Sequence, residues 1–157
     1  MGSGLYLMPD KDTRKEQSMY KMTIKVHLSD TDVTGQVYYS KPLEWMEWCR
    51  VNWFGEKYGN FMKYVEETGI TFFPSKVSID YRKPIFFADK LEIEMSSKDL
   101  KKVSFLLEYT IKRQEEIVLK ADVLMVCFDT KRRRLGKIEG GMLEHINGIG
   151  QVVQPAG

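Results

Sequence analysis

The sequence has few of the residues and patterns that define several classes of protein. Its 157 residues include two cysteines and two histidines, with no C-x-x-C pair or Cys/His cluster that would indicate a zinc site. No apolar run approaches the ~20 residues that a membrane span requires, and residues 1–25 lack the basic-then-apolar layout of a secretory signal. The net charge of +2 is too small to indicate nucleic-acid binding. We therefore expect a cytoplasmic protein without a metal site.

The length and composition fit one domain with one core. An apolar fraction of 43% is sufficient for such a core. Residues 1–20 are rich in charge and have no apolar period, so we expect a flexible tail or a vector-derived remnant there. We expect the domain over residues 21–147 and a second flexible tail over residues 148–157. Cys49 and Cys127 are interpreted as buried, reduced thiols.

An apolar stretch from Leu43 to Tyr58 predicts one long helix. Ser40 suits the N-cap, and Pro42 is tolerated only in a first helical turn. The apolar residues cover most of the circumference instead of one stripe: Leu43, Trp45, Met46, Trp48, Cys49, Val51, Trp53 and Phe54. A helix with apolar residues on nearly every side must be buried on nearly every side. The pattern therefore predicts a central helix.

The rest of the chain has the period of two that is typical of strands. One alternating segment, Thr23–Leu28, precedes the helix, and four segments follow it: three alternate, and the last is apolar on both parities, as in a central strand covered on both faces. They are centred on 77–81, 91–95, 103–111 and 117–128. The short turns between them indicate antiparallel neighbours. We therefore predict an α+β fold of the hot-dog type, with a five-stranded antiparallel sheet wrapped around one long central helix.

A single sheet covers only one side of a helix. The remaining apolar circumference of Leu43–Tyr58 needs another cover, and a second copy of the chain is the simplest one. We expect a homodimer or a homotetramer.

The segment that joins the first strand to the helix carries the chemistry. It has two carboxylates two positions apart, Asp30 and Asp32, followed by Gly35 and then by the start of the helix. A helix N-terminus offers unpaired N–H groups that can polarise a carbonyl. A carboxylate nearby can attack that carbonyl or activate water, and a glycine lets the backbone approach closely. Taken without this context, the two aspartates would also suit a simple turn or helix cap.

The pattern Asp30-Thr31-Asp32-x-x-Gly35-x-Val37-Tyr38, with Glu47-x-x-Arg50 in the helix, resembles the 4-hydroxybenzoyl-CoA thioesterase family, including its Tol–Pal-associated members. The resemblance covers roughly residues 22–146 and includes Tyr81-x-x-Pro84 and Ala88-Asp89-x-Leu91. It implies hydrolysis of an acyl-CoA thioester to a free acid and CoA, with no cofactor besides the CoA of the substrate.

The same resemblance assigns roles to the segment. It implies that Asp32 is catalytic, that the backbone N–H of Tyr39 polarises the thioester carbonyl, and that Asp30 organises the turn. Gly35, Val37 and Tyr38 are then expected to line the substrate site. Whether Asp32 acts as nucleophile or general base stays open, and so does the acyl group, because Tyr39 and Pro42 differ from the residues of many broad-specificity relatives.

Basic residues cluster after the last strand and before an earlier one. Arg132, Arg133 and Arg134, with Lys101 and Lys102, suit the phosphates of CoA, although such a run is also typical of a solvated loop. Two other functions remain open: hydrolysis of a thioester on an acidic acyl carrier protein, and acyl-CoA binding without catalysis. An ion pair within the helix is a sufficient structural explanation of Glu47 and Arg50. Neither His27 nor His145 has a partner in the sequence pattern that would make it catalytic.

Overall fold

The computed structural model describes residues 19–150, so most of both predicted tails lies outside the described residues. The strands are β1 (Tyr20–Lys25), β2 (Ile70–Tyr81), β3 (Lys90–Lys98), β4 (Ser104–Arg113), β5 (Glu116–Asp129) and the two-residue β6 (Arg134–Leu135). The helices are α1 (Lys41–Tyr58), α2 (Phe61–Thr68) and α3 (Gly140–Asn147). None of these helices is long and apolar enough to cross a membrane.

One antiparallel sheet contains all the strands. Its order is β1-β3-β4-β5-β2, and β6 pairs with the end of β5. The two outer strands of this order are β1 and β2. Alternate residues of β3, β4 and β5 are buried on the face that curves around α1. The predicted hot-dog architecture is confirmed: five long strands surround one central helix.

The central helix is buried on one side only. Trp45, Met46, Cys49 and Trp53 are among its buried residues and form the core with the sheet. Three apolar side chains are exposed: Leu43 by 41%, Trp48 by 47% and Val51 by 43%. These exposed side chains are the part of the circumference that a single sheet was expected to leave uncovered. The cysteine prediction is confirmed, since Cys49 and Cys127 are free and buried.

Two predicted strands have different bounds in the structure. β1 ends at Lys25 instead of Leu28, because Leu28 belongs to a 3-10 turn, Leu28–Asp30, where it is 66% exposed. β2 begins at Ile70, well before the predicted segment at 77–81. A register shift between Pro74 and Lys76 changes which residues face the core. That shift interrupts the alternation from which a strand is recognised.

The C-terminal part of the domain closes one end of the core. α3 packs Met142 and Ile146 into the core. Ile149, which falls within the predicted C-terminal tail, is buried, and its carbonyl accepts a hydrogen bond from the Ser97 N–H (2.9 Å). At the N-terminal boundary, β1 begins at Tyr20, one residue before the predicted start of the domain at residue 21.

Candidate active site

A closed loop connects β1 to α1 and carries the predicted catalytic residues. Thr31 and Val37 form an antiparallel bridge across it. Beyond the bridge, the Asp32 N–H donates to the Gln36 carbonyl (2.9 Å) and the Gly35 N–H to the Asp32 carbonyl (3.0 Å). Gly35 has φ of 79°, a left-handed conformation that glycine adopts without a steric penalty. The loop is therefore a small hairpin with a fixed conformation.

The Asp32 carboxylate is partly exposed at the tip of this loop and is oriented by Thr34. Its Oδ1 accepts a hydrogen bond from the Thr34 hydroxyl (2.5 Å) and another from the Thr34 N–H (2.7 Å). These bonds hold the pKa of Asp32 below its usual value, because they favour the charged form, and the bond from the Thr34 hydroxyl has the largest effect. Asp32 is therefore ionised at neutral pH, and the backbone N–H of Gln36 adds a smaller effect in the same direction.

Asp30 has a different environment. Its side chain is buried, with Oδ2 accepting a hydrogen bond from the His27 N–H (3.0 Å) and Oδ1 lying 3.8 Å from Lys41 Nζ. The carbonyl of Asp30 also accepts a hydrogen bond from the Tyr38 N–H (3.0 Å). Asp30 thus joins the 3-10 turn after β1 to the start of α1.

The start of α1 presents open backbone donors beside the loop. Among residues 19–150, no protein acceptor binds the N–H of Tyr39, whose side chain is 80% exposed. Ser40 occupies the predicted N-cap position, but its side chain makes no capping bond. The Tyr81 hydroxyl donates to the Tyr39 carbonyl, which fixes this backbone against the end of β2. An N–H fixed in this way can bind a developing oxyanion.

A crevice of about 330 Å³ lies at this point, between the start of α1 and the turn after β2. The predicted residues Val37, Tyr38 and Tyr39 line it. It is also lined by residues to which the sequence had assigned no role, including Tyr81, Arg82 and Lys83. Arg82 is paired with Asp80 (2.8 Å). The Tyr81-x-x-Pro84 pattern of the family resemblance is the sequence feature that points to these residues.

The predicted basic residues lie far from this loop within one chain. Ile70, the first residue of β2, pairs with Asp129, which precedes the basic run Lys131–Arg134. The Lys102 carbonyl, at the same end of the sheet, accepts a hydrogen bond from the Ile138 N–H (2.7 Å). Tyr39, in contrast, lies beside Tyr81, the last residue of β2. Twelve residues of strand separate the two ends by about 35 Å.

The remaining candidates have structural partners. Arg50 lies 3.8 Å from Glu47, as expected for an ion pair within α1. His145 of α3 is hydrogen-bonded through Nδ1 to the Tyr58 hydroxyl near the end of α1. The backbone N–H of His27 donates a hydrogen bond to the Asp30 carboxylate. Within residues 19–150, no group of His, Cys, Asp and Glu side chains is arranged to hold a metal ion.

The fold and this loop together define the chain as a hot-dog protein of the thioesterase type. The profile of the thioesterase-like superfamily matches residues 26–146, and the chain belongs to that superfamily. It is 26% identical over 120 residues to the acyl-CoA thioesterase YbgC of Haemophilus influenzae, covering 76% of this chain and 85% of that protein.

Two further similarities cover most of the chain. The long-chain acyl-CoA thioesterase FadM of Escherichia coli K12 is 29% identical over 125 residues, which span 78% of this chain and 93% of FadM. The crystal structure of YbaW, a probable thioesterase from Escherichia coli, superimposes with a TM-score of 0.71 at 25% identity. That superposition covers 84% of this chain and 99% of YbaW.

Proposed function

We propose that this protein hydrolyses acyl-CoA thioesters, with Asp32 as the catalytic carboxylate. The observation that carries the proposal is the pairing, in one loop, of an ionised and oriented carboxylate with the open N–H of Tyr39. The names of the relatives YbgC and FadM support the same reaction. The reaction needs no cofactor besides the CoA that belongs to the substrate.

The chemistry follows from these two groups. The Tyr39 N–H donates to the thioester oxygen and stabilises the negative charge that develops when the carbonyl is attacked. Asp32 either removes a proton from the attacking water or attacks the carbonyl itself to form an anhydride, which water then opens. In both routes the thiolate of CoA leaves and takes up a proton, and the acid is released.

We propose that a homodimer is the smallest active unit. The exposed Leu43, Trp48 and Val51 form an apolar strip on α1, and β2 is an outer strand of the sheet. A two-fold arrangement with antiparallel β2 strands would cover both features at once, because each surface is then its own complement.

This arrangement also gives the basic run a role. When two β2 strands run antiparallel, the first residue of one lies beside the last residue of the other. Arg132, Arg133 and Arg134 of one subunit then approach the Asp32 loop of its partner. We propose that the run binds the phosphates of a CoA whose thioester is held by the other subunit.

Two finer proposals concern the partner and the compartment. An acyl carrier protein is a second candidate substrate, because the consecutive basic residues Lys131–Arg134 would suit an acidic protein. We propose a cytoplasmic location, in keeping with two buried thiols that form no disulfide.

The test is thiol release from a panel of aromatic and short- to long-chain acyl-CoAs, with Asp32→Asn as the variant. Asparagine keeps the size and can accept the hydrogen bonds of Thr34, but it lacks the negative charge. We expect kcat to fall ~10²–10⁴-fold while the melting temperature changes little. A variant with near-full activity would refute the role of Asp32.

Asp30→Asn is the matched control. It removes the charge two positions away, at a buried carboxylate that holds His27 and Lys41. The free energy of unfolding should fall by about 1–3 kcal/mol, while kcat falls less than for Asp32→Asn. If the unmutated protein binds acyl-CoA without releasing thiol, the non-catalytic binding function replaces this proposal.

A further inference from the structure

Large apolar side chains protrude at the end of the molecule that carries the Asp32 loop. They come from three separate turns, and their exposure ranges from 43% for Phe86 to 105% for Val33. We call this surface the apolar tip, and its members are Leu28, Val33, Phe86 and Phe87. Apolar side chains that are exposed as a group, instead of singly, are typical of a surface that another body covers.

The turn between β2 and β3 holds its two phenylalanines against the Asp32 loop. The Phe87 N–H donates to the Gly35 carbonyl (3.0 Å), and Phe86 forms an antiparallel bridge with Gln36. The phenylalanines therefore lie beside the loop that also presents Val33.

The backbone of this turn is fixed. The Phe86 N–H donates to Asp89 Oδ2 (2.9 Å), and the same carboxylate oxygen lies 2.7 Å from Arg113 Nη1. The Ala88 N–H donates to the Val26 carbonyl (3.1 Å), just after β1. Ala88 has φ of 67°, a left-handed conformation that a residue with a Cβ keeps only where surrounding contacts impose it. Because the backbone is already ordered, covering the phenylalanines costs little further entropy.

Lysines without an acidic partner surround the apolar tip. Lys25 and Lys90 are directly opposite each other where β1 pairs with β3, and both are exposed. Like charges in such a pair are unfavourable unless a negative charge lies near them. Among residues 19–150, no carboxylate forms an ion pair with Lys25, Lys90 or Lys83, which precedes the phenylalanines in their turn.

The acidic side chains at this end of the sheet are largely neutralised. Asp89 is paired with Arg113 (2.7 Å), and Asp80 is paired with the arginine two positions after it (2.8 Å). Asp32 and Glu115 lack an ion pair within the described residues, but three unpaired lysines outweigh these two carboxylates. The free charge around the apolar tip is therefore mainly positive.

Shape and charge together favour a lipid surface over a protein partner. Apolar side chains on tight turns can enter the boundary between lipid headgroups and acyl chains without a complementary pocket, while lysines beside them meet anionic headgroups. A protein partner would need a closely packed, complementary surface around each protruding side chain. The apolar tip also lies beside β1 and β3, on the side of the sheet away from β2, the edge assigned to the homodimer.

We propose that the apolar tip, with Lys25, Lys83 and Lys90, binds an anionic lipid surface. Val33 belongs to the same loop as Asp32, so this contact places the candidate active site beside the lipid. The inference does not depend on thioester hydrolysis, and binding to vesicles tests it without a substrate.

The test measures co-sedimentation with vesicles of phosphatidylcholine alone and of equimolar phosphatidylcholine and phosphatidylglycerol at low salt. We expect the unmutated protein to bind the mixed vesicles. Phe86→Ser combined with Phe87→Ser should weaken this binding at least ~10-fold, and so should Lys25→Gln combined with Lys90→Gln. Met62→Ser is the matched control, because it removes an exposed apolar side chain from α2, beyond the opposite end of α1, and should leave the affinity unchanged.

A fluorophore locates the contact directly. Phe87→Cys and Met62→Cys are labelled with a dye whose emission shifts to the blue in an apolar environment, and the two native cysteines are buried. Mixed vesicles should shift the emission at position 87 and leave it unchanged at position 62.

Three results would overturn the inference. The first is failure of the unmutated protein to bind the mixed vesicles, and the second is an equal shift at positions 87 and 62. The third is loss of binding when Arg132, Arg133 and Arg134 are changed to Ala, with binding retained by the double phenylalanine variant, because the basic run would then be the lipid site. If that phenylalanine variant instead forms a smaller assembly by light scattering and no vesicle binding occurs, the apolar tip joins copies of the chain.

Discussion

At the residue scale, two aspartates two positions apart have different chemistry because their hydrogen-bond donors differ. Asp30 is buried and accepts a hydrogen bond from the His27 N–H, whereas Asp32 is partly exposed and is oriented mainly by Thr34. An ionised carboxylate that is partly exposed is suited to attack or to accept a proton. The catalytic potential of Asp32 therefore depends on the identity of residue 34.

Thr34→Val tests this dependence through pH. The Thr34 hydroxyl is the main cause of the lowered pKa of Asp32, and valine lacks that hydroxyl but keeps the backbone N–H. The pKa of Asp32 should then rise towards its usual value, so the carboxylate becomes protonated at a higher pH. We expect the acidic limb of the kcat/KM profile to move to higher pH while activity at pH 8 is nearly retained. An unmoved limb would show that another group controls it.

At the element scale, the segments with one clear period were predictable and the irregular ones were not. The fold was predicted from the apolar density of Leu43–Tyr58, the alternation in β3 and β4 and the apolar run of β5, because burial dictates all of these patterns. β2 was recognised only in part, since its register shift beside Pro74 interrupts the alternation. The structure also has an apolar cavity under the C-terminal half of α1, and no sequence pattern predicts it, because its walls are side chains from distant segments of the chain.

Replacing a glycine with alanine should have opposite effects on stability at the end of a helix and within a helix. Gly69 ends α2 with φ of 76°, and an added Cβ would lie 2.8 Å from Lys131 Cγ. Gly69→Ala should therefore lower the free energy of unfolding by about 1–2 kcal/mol. Gly55, within α1, has no atom within 4 Å of an added Cβ, so Gly55→Ala should raise it by about 0.5–1 kcal/mol. Chemical denaturation measures both, and equal effects would contradict the comparison.

At the scale of the whole molecule, the separation of Asp32 from the basic run was not predictable from the sequence. The charge of Arg132 predicted a contact with the phosphates of CoA, but within one chain β2 and β5 hold this residue and the Asp32 loop at opposite ends of the sheet. Charge indicates what a residue can bind, whereas the strand lengths determine which end of the sheet it occupies.

Mixing two impaired variants, one with a high KM and one with a low kcat, tests whether the site is shared between subunits. Changing Arg132, Arg133 and Arg134 to Ala should raise KM for acyl-CoA more than it lowers kcat, because phosphate contacts are remote from the reacting bond. When this variant is mixed with Asp32→Asn and subunits exchange, each heterodimer should regain one complete site. We expect activity with a low KM to appear on mixing, measured by thiol release at low salt.

A site made within one chain predicts a different result. Every site of the mixture would then lack either Asp32 or the basic run, and no activity with a low KM would appear. Subunit exchange is verified by native mass spectrometry of the mixture, in which the heterodimer has a mass between those of the two homodimers. The unmutated protein mixed with Asp32→Asn serves as the reference for the expected fraction of intact sites.

The position of β1 at the other edge of the sheet limits how far assembly can proceed. Once two β2 strands are paired, only the β1 edges of the joined sheet remain, and β1 carries Lys21 and Lys25 at alternating positions. Lys21 is drawn towards Glu92 and Glu94 of β3 (3.8 Å to each). Charged lysines along an edge discourage a further strand from adding there. A sheet that pairs through β2, as proposed, therefore resists growth into a filament through β1.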